Sequence, residues 1–465
     1  MPYLPLQEKP FVNVDKTSRQ GIAKFLDAAK DDFMSNLRRP GAKKWVNLGT
    51  GNPVDSLYEW LYQDVLVAIS AGKVYKIEED GTTTHIAGDT LFTGTPVSFA
   101  SFGDTLFMAN GGNILKWTFT NDTCSYIADA DAPTSVTHII FINQYLVALD
   151  TTQNQERLYY SVVDDPTTWE GDFFSAELQP DKPNGLFTGW EEILISGEST
   201  LENWYNSGGA EVFSRLNSSN TERGTLSPYT VQKIDNTYFF LDTERKVVRL
   251  QGRSPVIISN PFDRDFQAME TVSDARSMQI IPDGETFYII TFPTEGRTFA
   301  YDYKRDYWSE WSYWDATNAE RDNYLGQTAA YMRKWDQQLV GSRSDGTVYR
   351  TSTSYYKDDT ATINTDIYTG WNNYGTDSWK FCHELRVKLR RGDGDAFDGK
   401  VFEVWYRDNG EAQWKGPRHI DMGQLGEVDH IVRLRRLGRY RTRQWRFRCA
   451  EPVAVNLISA EEIVR

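Results

Sequence analysis

Short apolar runs separated by turn residues recur along the middle of the chain. Each recurrence is a strand-like run, a short turn rich in Gly, Asp, Asn or Thr, and a second run with aromatic or basic residues near its end, as in VLVAISAGKVYKI. Seven such hairpins occur, at residues 65–77, 105–118, 145–161, 193–206, 238–250, 287–302 and 338–352. Runs of β-branched and aromatic residues bounded by Gly and Asp turns predict antiparallel strands.

The spacing of these hairpins predicts how they assemble. Successive hairpins lie roughly 40 to 50 residues apart, which is the period of propeller blades with four strands each. A single hairpin cannot bury its apolar face in water, whereas blades packed in a ring share a core and leave only short edges. We therefore expect an all-β chain with a β-propeller of six or seven blades over residues 45–370.

Beyond residue 370 the alternation becomes longer and indicates a second unit. Apolar and basic side chains alternate here, which predicts strands with one buried face. The alternating sets are Leu385, Val387 and Leu389 against Arg386, Lys388 and Arg390, and Trp445 and Phe447 against Arg446 and Arg448. The length suits one small domain, and we expect a C-terminal antiparallel β-sandwich over residues 371–465.

The first 44 residues have a different pattern. Prolines punctuate the start to about residue 14, which predicts an extended arm. Apolar residues at 22, 25, 26, 29, 33 and 37 then share one stripe at helical spacing. Pro40 and Gly41 would end such a helix. We expect an N-terminal arm and a short helix over residues 1–44.

Net charge limits the possible functions. The chain has 50 Lys and Arg against 65 Asp and Glu, a net charge of -15. Tight nucleic-acid binding needs many uncompensated cations, so this balance argues against it. DNA that slides past an acidic wall without sequence-specific binding is compatible with the charge, because repulsion lowers friction.

Cysteine usage and hydropathy bear on the compartment. The three cysteines, Cys124, Cys382 and Cys449, are far apart in sequence, so no disulfide framework is expected and folding in a reducing compartment is the simple interpretation. The proline-containing start has no apolar segment typical of a signal peptide. No stretch has the uncharged apolar length that spans a bilayer, and we expect no membrane insertion.

Motifs for cofactor or metal binding are weak. Gly394, Gly399 and Lys400 match G-x-x-x-x-G-K, but Val401 stands where a hydroxyl residue is needed and a strand-like run follows instead of a helix. The same turn carries three carboxylates at a spacing unlike that of an EF-hand. They are Asp393, Asp395 and Asp398. We interpret the segment as a solvated hairpin turn and predict no cofactor, no metal and no enzymatic activity.

Glycoside hydrolysis or glycan binding at a host surface is the alternative function. Some propellers cleave sugars with paired carboxylates, and sugar rings stack on aromatic faces. The candidate carboxylates are Glu191, Glu192, Asp302, Asp306 and Glu310, near Trp190, Trp308, Trp311 and Trp314. The competing interpretation is that these aromatic residues pack between blades.

A series of arginines near the C-terminus stands out in this acidic chain. It comprises Arg433, Arg435, Arg436, Arg439, Arg441, Arg443, Arg446 and Arg448. Such a series could contact DNA phosphates, dock on an acidic neighbouring subunit, or form a solvated strand face. The overall acidity favours subunit docking over DNA.

Two stretches resemble a known family. The first is LRRPGAKKWVNLG at residues 37–49, which leads into the first hairpin, and the second is RRLGRYRTRQWRFRCAEPVAVNLISAEEIVR at residues 435–465. Both are similar to segments of the tail hub or nozzle proteins of short-tailed bacteriophages, also called packaged-DNA stabilisation proteins. The resemblance covers nearly the whole chain in outline, and the C-terminal segment is its more specific part.

The resemblance implies a structural role in a virion. It implies a homo-oligomeric ring of six copies below the head-to-tail adaptor protein, located in the virion tail after assembly in the host cytoplasm. The ring would surround a channel that retains packaged double-stranded DNA and releases it at infection. Tail fibre, spike or needle proteins would attach nearby, and no enzymatic activity is implied.

Overall fold

The computed structural model describes residues 22–26, 28–30, 36–151, 157–176, 181–189, 191–209, 211–217, 220–394, 401–424, 427 and 430–464. Within these residues the regular structure is almost entirely β, as expected. The helical elements are one short α-helix, Asp263–Ala268, and three 3-10 turns, Pro228–Thr230, Asn260–Phe262 and Pro282–Gly284.

The first four blades follow one another directly in sequence, each with four antiparallel strands. Blade 1 contains Val54–Trp60, Val65–Ser70, Lys73–Ile77 and Thr83–Gly88. Blade 2 contains Ser98–Phe102, Thr105–Ala109, Leu115–Thr118 and Thr123–Tyr126. Blade 3 contains Val136–Ile142, Tyr145–Asp150, Arg157–Tyr160 and Phe173–Ser175. Blade 4 contains Pro183–Gly189, Glu192–Gly197, Leu201–Asn206 and Phe213–Arg215.

Three more blades complete the propeller. Blade 5 contains Gln232–Ile234, Thr237–Leu241, Val247–Gln251 and Ser254–Ile257. Blade 6 contains Arg276–Ile280, Phe287–Phe292, Arg297–Asp302 and Tyr307–Trp311. Blade 7 contains Gly326–Met332, Gln337–Ser342, Thr347–Ser352 and, as its outer strand, Gly41–Asn47. The described residues thus form seven blades, and the seven hairpins read from the sequence are their second and third strands.

Separate apolar clusters between neighbouring blades close the ring. The rings of Trp60 and Trp117 lie 5.1 Å apart between blades 1 and 2. Leu57 and Met332 share a cluster between blades 1 and 7. Each blade thus buries both of its faces against a neighbour, which is how four-stranded sheets too small to be stable alone become stable together.

An early strand supplies the outer edge of the last blade. Gly41–Asn47 pairs antiparallel with Thr347–Ser352, although some 300 residues separate the two strands. A Cβ atom at Gly41 would lie 2.4 Å from the carbonyl oxygen of Tyr355, so only glycine fits this close approach. The propeller therefore begins at Gly41 in space, before the expected boundary at residue 45.

The C-terminal unit is a β-sandwich of two sheets. One sheet has the order Ile22–Leu26, Thr365–Thr369, Arg443–Cys449, Val401–Asp408 and Lys415–Asp421. The other has the order Ala28–Lys30, Asn36–Arg38, Val453–Val464, Lys380–Gly394 and His430–Arg435, with Arg439–Tyr440 also paired to Lys380–Gly394. Leu385, Val387, Leu389, Trp445 and Phe447 are buried between the sheets, as their alternation predicted. The sandwich includes Thr365–Thr369, before the expected boundary at residue 371.

The expected N-terminal helix is wrong. The described residues of this segment form the strands Ile22–Leu26, Ala28–Lys30 and Asn36–Arg38. The first pairs with Thr365–Thr369 and the third with Val453–Val464, so both add to sandwich sheets. Hydrogen bonding to strands more than 300 residues away outweighs the local helical pattern, because propensity is a weak determinant against tertiary pairing. The arm expected before residue 15 lies outside the described residues.

Two small hairpins and one shared strand lie at the junction of the two units. The hairpin of Tyr313–Asp315 and Glu320–Asp322 follows blade 6, and the short strands Lys357–Asp358 and Ala361–Thr362 follow blade 7. Ile22–Leu26 also pairs with Tyr307–Trp311, the outer strand of blade 6. The sandwich is therefore attached at the rim of the propeller beside blade 6.

Candidate functional site

Two of the eight C-terminal arginines belong to the interior or its margin. Arg443 is 1% exposed and forms a two-pronged ion pair with Asp408, at 2.7 and 3.2 Å. Its guanidinium also stacks on Tyr440, 4.1 Å from the ring centre. Arg446 forms a similar pair with Asp366, at 2.7 and 3.2 Å. The assignment of Arg443 as a contact residue is corrected: it has the same strand parity as Trp445 and Phe447, and that parity points inward.

Arg433 and Arg435 are exposed but share a carboxylate of their own sheet. Glu384 on the neighbouring strand accepts a hydrogen bond from Arg435 at 3.0 Å and lies 3.8 Å from Arg433. Arg386 donates to the same carboxylate at 2.7 Å, and these cations lower the pKa of Glu384. The two arginines are therefore partly neutralised within the subunit.

Arg439 and Arg441 form the core of an exposed cluster. Both guanidinium groups lie 5.0 Å from the ring centre of Trp379, which is 51% exposed. Phe381, which is 50% exposed, faces Arg439 across the strand pair, and its ring centre lies 5.1 Å from that of His383 at a tilted angle of 56°. Among the described residues, no carboxylate forms an ion pair with Arg439 or Arg441. We name Trp379, Phe381, His383, Arg439 and Arg441 the Trp379 patch.

A buried lysine fixes the strands beneath this patch. Lys380 points inward between Trp379 and Phe381, and its ammonium donates to three carbonyl oxygens, those of Thr376 at 2.6 Å, Ser378 at 3.0 Å and Arg441 at 2.9 Å. Burial lowers the pKa of Lys380. Because these bonds join both strands, the outward residues of the patch stand on a defined backbone instead of a loose loop.

The remaining two arginines lie apart from the patch. Arg436 is exposed in the turn after His430–Arg435, with a backbone φ of 62°. Arg448 is half-buried, 5.9 Å from the ring centre of Trp314 in the connecting hairpin. The arginine series therefore does not form one continuous face, and the patch contains only two of its members.

The Arg38-Arg39 pair joins the two units, a role that the sequence did not reveal. Arg38 donates to the hydroxyl of Thr365 and to the carbonyl oxygen of Cys449 in the sandwich, at 3.3 and 3.2 Å. Arg39 forms a two-pronged ion pair with Asp358, at 3.0 and 2.5 Å, and donates to the carbonyl oxygen of Ser312 at 2.7 Å. Of these two buried arginines, Arg38 thus bonds to the sandwich, and Arg39 bonds to the connecting segments beside the propeller.

The propeller axis holds a small polar cavity. It has a volume of about 450 Å³ and is lined by the innermost strands of the blades. Asp55 and His138 are among its lining residues, and burial favours the neutral form of both. Burial raises the pKa of Asp55, and it lowers the pKa of His138 to about 4. A cavity of this size suits a small molecule or water.

The described carboxylates of the glycoside-hydrolase hypothesis are not gathered in one cleft. Asp302 bonds Arg305 at 2.8 Å, and Glu310 bonds Arg297 at 3.0 Å, both within blade 6. The hydroxyl of Tyr301 donates to Asp306 at 2.8 Å. Glu192 pairs with Arg253 between blades 4 and 5, and Glu191 lies in an exposed turn of blade 4. None of the five lines the axial cavity.

The aromatic residues of that hypothesis are placed as packing residues. Trp308 and Trp311 are 2% and 0% exposed and pack between blades. Trp314 is half-buried and Trp190 lies outside the described residues. Trp308 and Trp311 therefore follow the competing interpretation, packing between blades.

In the part of the chain that the structure describes, no group of three His, Cys, Asp or Glu has the arrangement of a metal site. Residues 395–400, with Asp395, Asp398, Gly399 and Lys400 of the hairpin turn, lie outside the described residues. Among the helices of the described part, none has the length and apolar character to cross a bilayer.

Comparison with known proteins gives one family match. The family model described as "Bacteriophage P22 Gp10, beta-propeller" matches residues 46–355. No curated protein sequence gives a significant match. The match spans the seven blades from the closing outer strand to the end of Thr347–Ser352, and it stops before the sandwich.

Several solved structures share a distant likeness. Virginiamycin B lyase from Staphylococcus aureus is 10% identical with a TM-score of 0.45, over 68% of this chain and 99% of that chain. The Pan2 WD40 domain of Neurospora crassa is 9% identical with a TM-score of 0.41, over 65% and 89%. YCF48 from Cyanidioschyzon merolae is 9% identical with a TM-score of 0.43, over 67% and 98%. Likeness at this level carries no information about function.

Proposed function

Because the chain belongs to the bacteriophage P22 Gp10 β-propeller family, we propose that it is a structural subunit of a phage tail nozzle. Six copies form a ring below the head-to-tail adaptor protein. The ring retains packaged double-stranded DNA and forms the channel through which the genome leaves. The observation that carries this proposal is the family match over residues 46–355, which make up nearly all of the propeller.

The dimensions of the propeller support a channel between subunits. The axial cavity of one subunit, about 450 Å³, has the size of a small-molecule pocket. A duplex whose major groove alone is about 12 Å wide does not fit into such a space. A channel for DNA in this protein therefore requires several copies around a common axis, which is what a closed ring provides.

The charge of the chain supports passage of DNA without tight binding. With a net charge of -15, the ring presents more carboxylates than cations. An acidic wall repels phosphate and leaves the duplex mobile. The proposed role is structural, and it is supported over glycan cleavage by the engagement of four of the five candidate carboxylates with Arg or Tyr side chains.

Other tail proteins complete the proposed assembly. The adaptor contacts one side of the ring, and tail fibre, spike or needle proteins attach at the other side or at the rim. The described part of the chain is rigidly built, since each blade is buried against its neighbours and the sandwich shares strands with the N-terminal segment. Such a body is suited to transmit load between partners rather than to change shape.

Localisation and DNA retention test the proposal together. The chain is tagged after residue 410, in the exposed turn between Val401–Asp408 and Lys415–Asp421, and virions are imaged by cryo-electron microscopy with a label on the tag. We expect label only at the tail. Particles assembled without the chain should package DNA and then lose it to nuclease. Label on the head shell, or particles that keep their DNA without the chain, would refute the role.

A further inference from the structure

The turns of blades 1 to 3 concentrate acid on one face of the propeller. In an antiparallel four-stranded blade, the turn after the first strand and the turn after the third lie on the same face. In blades 1 to 3 these turns are residues 61–64, 78–82, 103–104, 119–122, 143–144 and 161–172. Together they contain ten Asp and Glu and neither Lys nor Arg. We name these turns the acidic face.

Most of this charge faces solvent. Exposed members include Glu78, Glu79, Asp80, Asp104, Asp122 and Glu170. Only two of the ten form ion pairs among the described residues, Glu78 with Lys76 and Asp64 with Lys334. The equivalent turns of blades 5 to 7 differ, since they contain Arg253, Arg305 and Arg333. The acid is therefore a local feature and not a property of the whole propeller.

The sandwich has the opposite charge. Residues 371–465 contain 18 Lys and Arg against 14 Asp and Glu, a net charge of +4, which leaves -19 for residues 1–370. Its Trp379 patch combines two exposed arginines with two half-exposed aromatic rings. Tryptophan and arginine are the residues most enriched at energetic centres of protein interfaces, and no strand of the described chain covers the patch.

The sandwich lies across the propeller ring from blades 2 and 3. The sandwich is attached beside blade 6. In a ring of seven, blades 2 and 3 are the farthest from blade 6, three steps away in either direction. The patch of one subunit is therefore separated from the turns of blades 2 and 3 by its own propeller. A second copy can present its acidic face to the patch, and repetition of such a head-to-tail contact closes a ring when the rotation allows.

From these observations we infer that the Trp379 patch of one subunit docks on the acidic face of blades 1 to 3 of the next copy. Trp379 and Phe381 supply apolar area at the centre, and Arg439 and Arg441 pair with carboxylates around it. The inference rests on the proposed ring and adds the surfaces that join it. Opposite charges across the contact set its register and speed its formation.

Self-association of the full chain tests the contact. Analytical ultracentrifugation over a range of concentrations, at low and at physiological salt, measures the dissociation constant between copies. The patch variant is R439E/R441E and the acidic-face variant is D122K/E170K. The control is K43E/R418E, which changes the net charge by the same amount as the patch variant at exposed residues outside the patch. A fourth variant combines both reversals, and W379A removes the central ring.

We expect the wild-type protein to self-associate, more strongly at low salt. Each reversal alone and W379A should weaken association by at least about tenfold, while the control leaves it unchanged. The combined reversal should restore association, because each contact again joins opposite charges. Restored association of the combined variant would show that these two surfaces pair with each other. Variants that had lost their fold could not regain association in this way.

Three outcomes overturn the inference. The first is a wild-type chain that stays monomeric at every concentration, and the second is a patch variant that behaves as the control does. The third is binding of double-stranded DNA that R439E/R441E abolishes while self-association persists, which would assign the patch to nucleic acid. A chain that labels the tail in virions but fails these tests keeps its proposed function and loses only these surfaces.

Discussion

Replacement of Arg39 by methionine tests whether the Arg38-Arg39 pair holds the propeller and the sandwich together. Arg39 is 1% exposed, and Asp358, its partner, is 3% exposed. Its guanidinium bonds both oxygens of that carboxylate and two backbone carbonyls, those of Pro40 and Ser312. It also lies 5.0 Å from the ring centre of Tyr324. Methionine keeps much of the side-chain length and removes every one of these polar contacts.

The size of the effect follows from what remains after the replacement. The Asp358 carboxylate stays buried and loses the guanidinium that bonds both of its oxygens, and removal of one partner of a buried ion pair costs about 3 to 5 kcal/mol. Domains are stable by only about 5 to 15 kcal/mol. We therefore expect Arg39→Met to lower the free energy of unfolding by about 3 to 5 kcal/mol.

Urea denaturation followed by tryptophan fluorescence measures this loss. The matched control is Lys43→Met, at an exposed position four residues later in the same segment, where we expect a change within about 0.5 kcal/mol. The double variant R39M/D358L removes both charges and should recover most of the lost stability. If Arg39→Met lowered the free energy of unfolding by less than about 1 kcal/mol, well below the range for buried ion pairs, the ion pair between Arg39 and Asp358 would not be what stabilises this junction.

Three further predictions concern buried groups. Burial lowers the pKa of His138 to about 4, so the unfolded chain binds a proton at this histidine first as the pH falls. The free energy of unfolding should therefore drop by up to about 3 kcal/mol between pH 6.5 and pH 4. In urea denaturation, His138→Phe should flatten this pH dependence, and the same pH dependence in both proteins would contradict the prediction. The three cysteines, Cys124, Cys382 and Cys449, should not react with Ellman's reagent at pH 8 until urea unfolds the chain. The reason is that all three are buried and burial raises the pKa of their thiols. Rapid labelling of the folded protein would instead show that the thiols are accessible. Arg443→Met should destabilise the sandwich by about 3 to 5 kcal/mol, because it leaves the buried Glu462 carboxylate without its cation and Asp408 paired with Lys415 alone. Arg441→Met should not destabilise it, and limited proteolysis compares the two variants.

The hairpins and the sandwich alternation were readable from the sequence because both depend on neighbouring residues. Strand periodicity and turn residues are local properties, so the seven hairpins and the inward set of Leu385, Val387 and Leu389 followed directly. The same parity could have placed Arg443 inside, since it is in phase with Trp445. Its charge was taken as a sign of exposure, but Asp408 compensates that charge in the interior.

Pairing between distant residues was decided only by the tertiary structure. The apolar stripe of residues 22–37 fits a helix in isolation, yet its described parts complete the edges of two sandwich sheets. Gly41–Asn47 closes blade 7 because the ring brings the two ends of the propeller segment together. The acidic face and the Trp379 patch likewise arise from which turns share a face and which strands are neighbours. A sequence determines the alternation of each strand, but long-range hydrogen bonds and packing select its partner, and the partner decides which charges meet solvent.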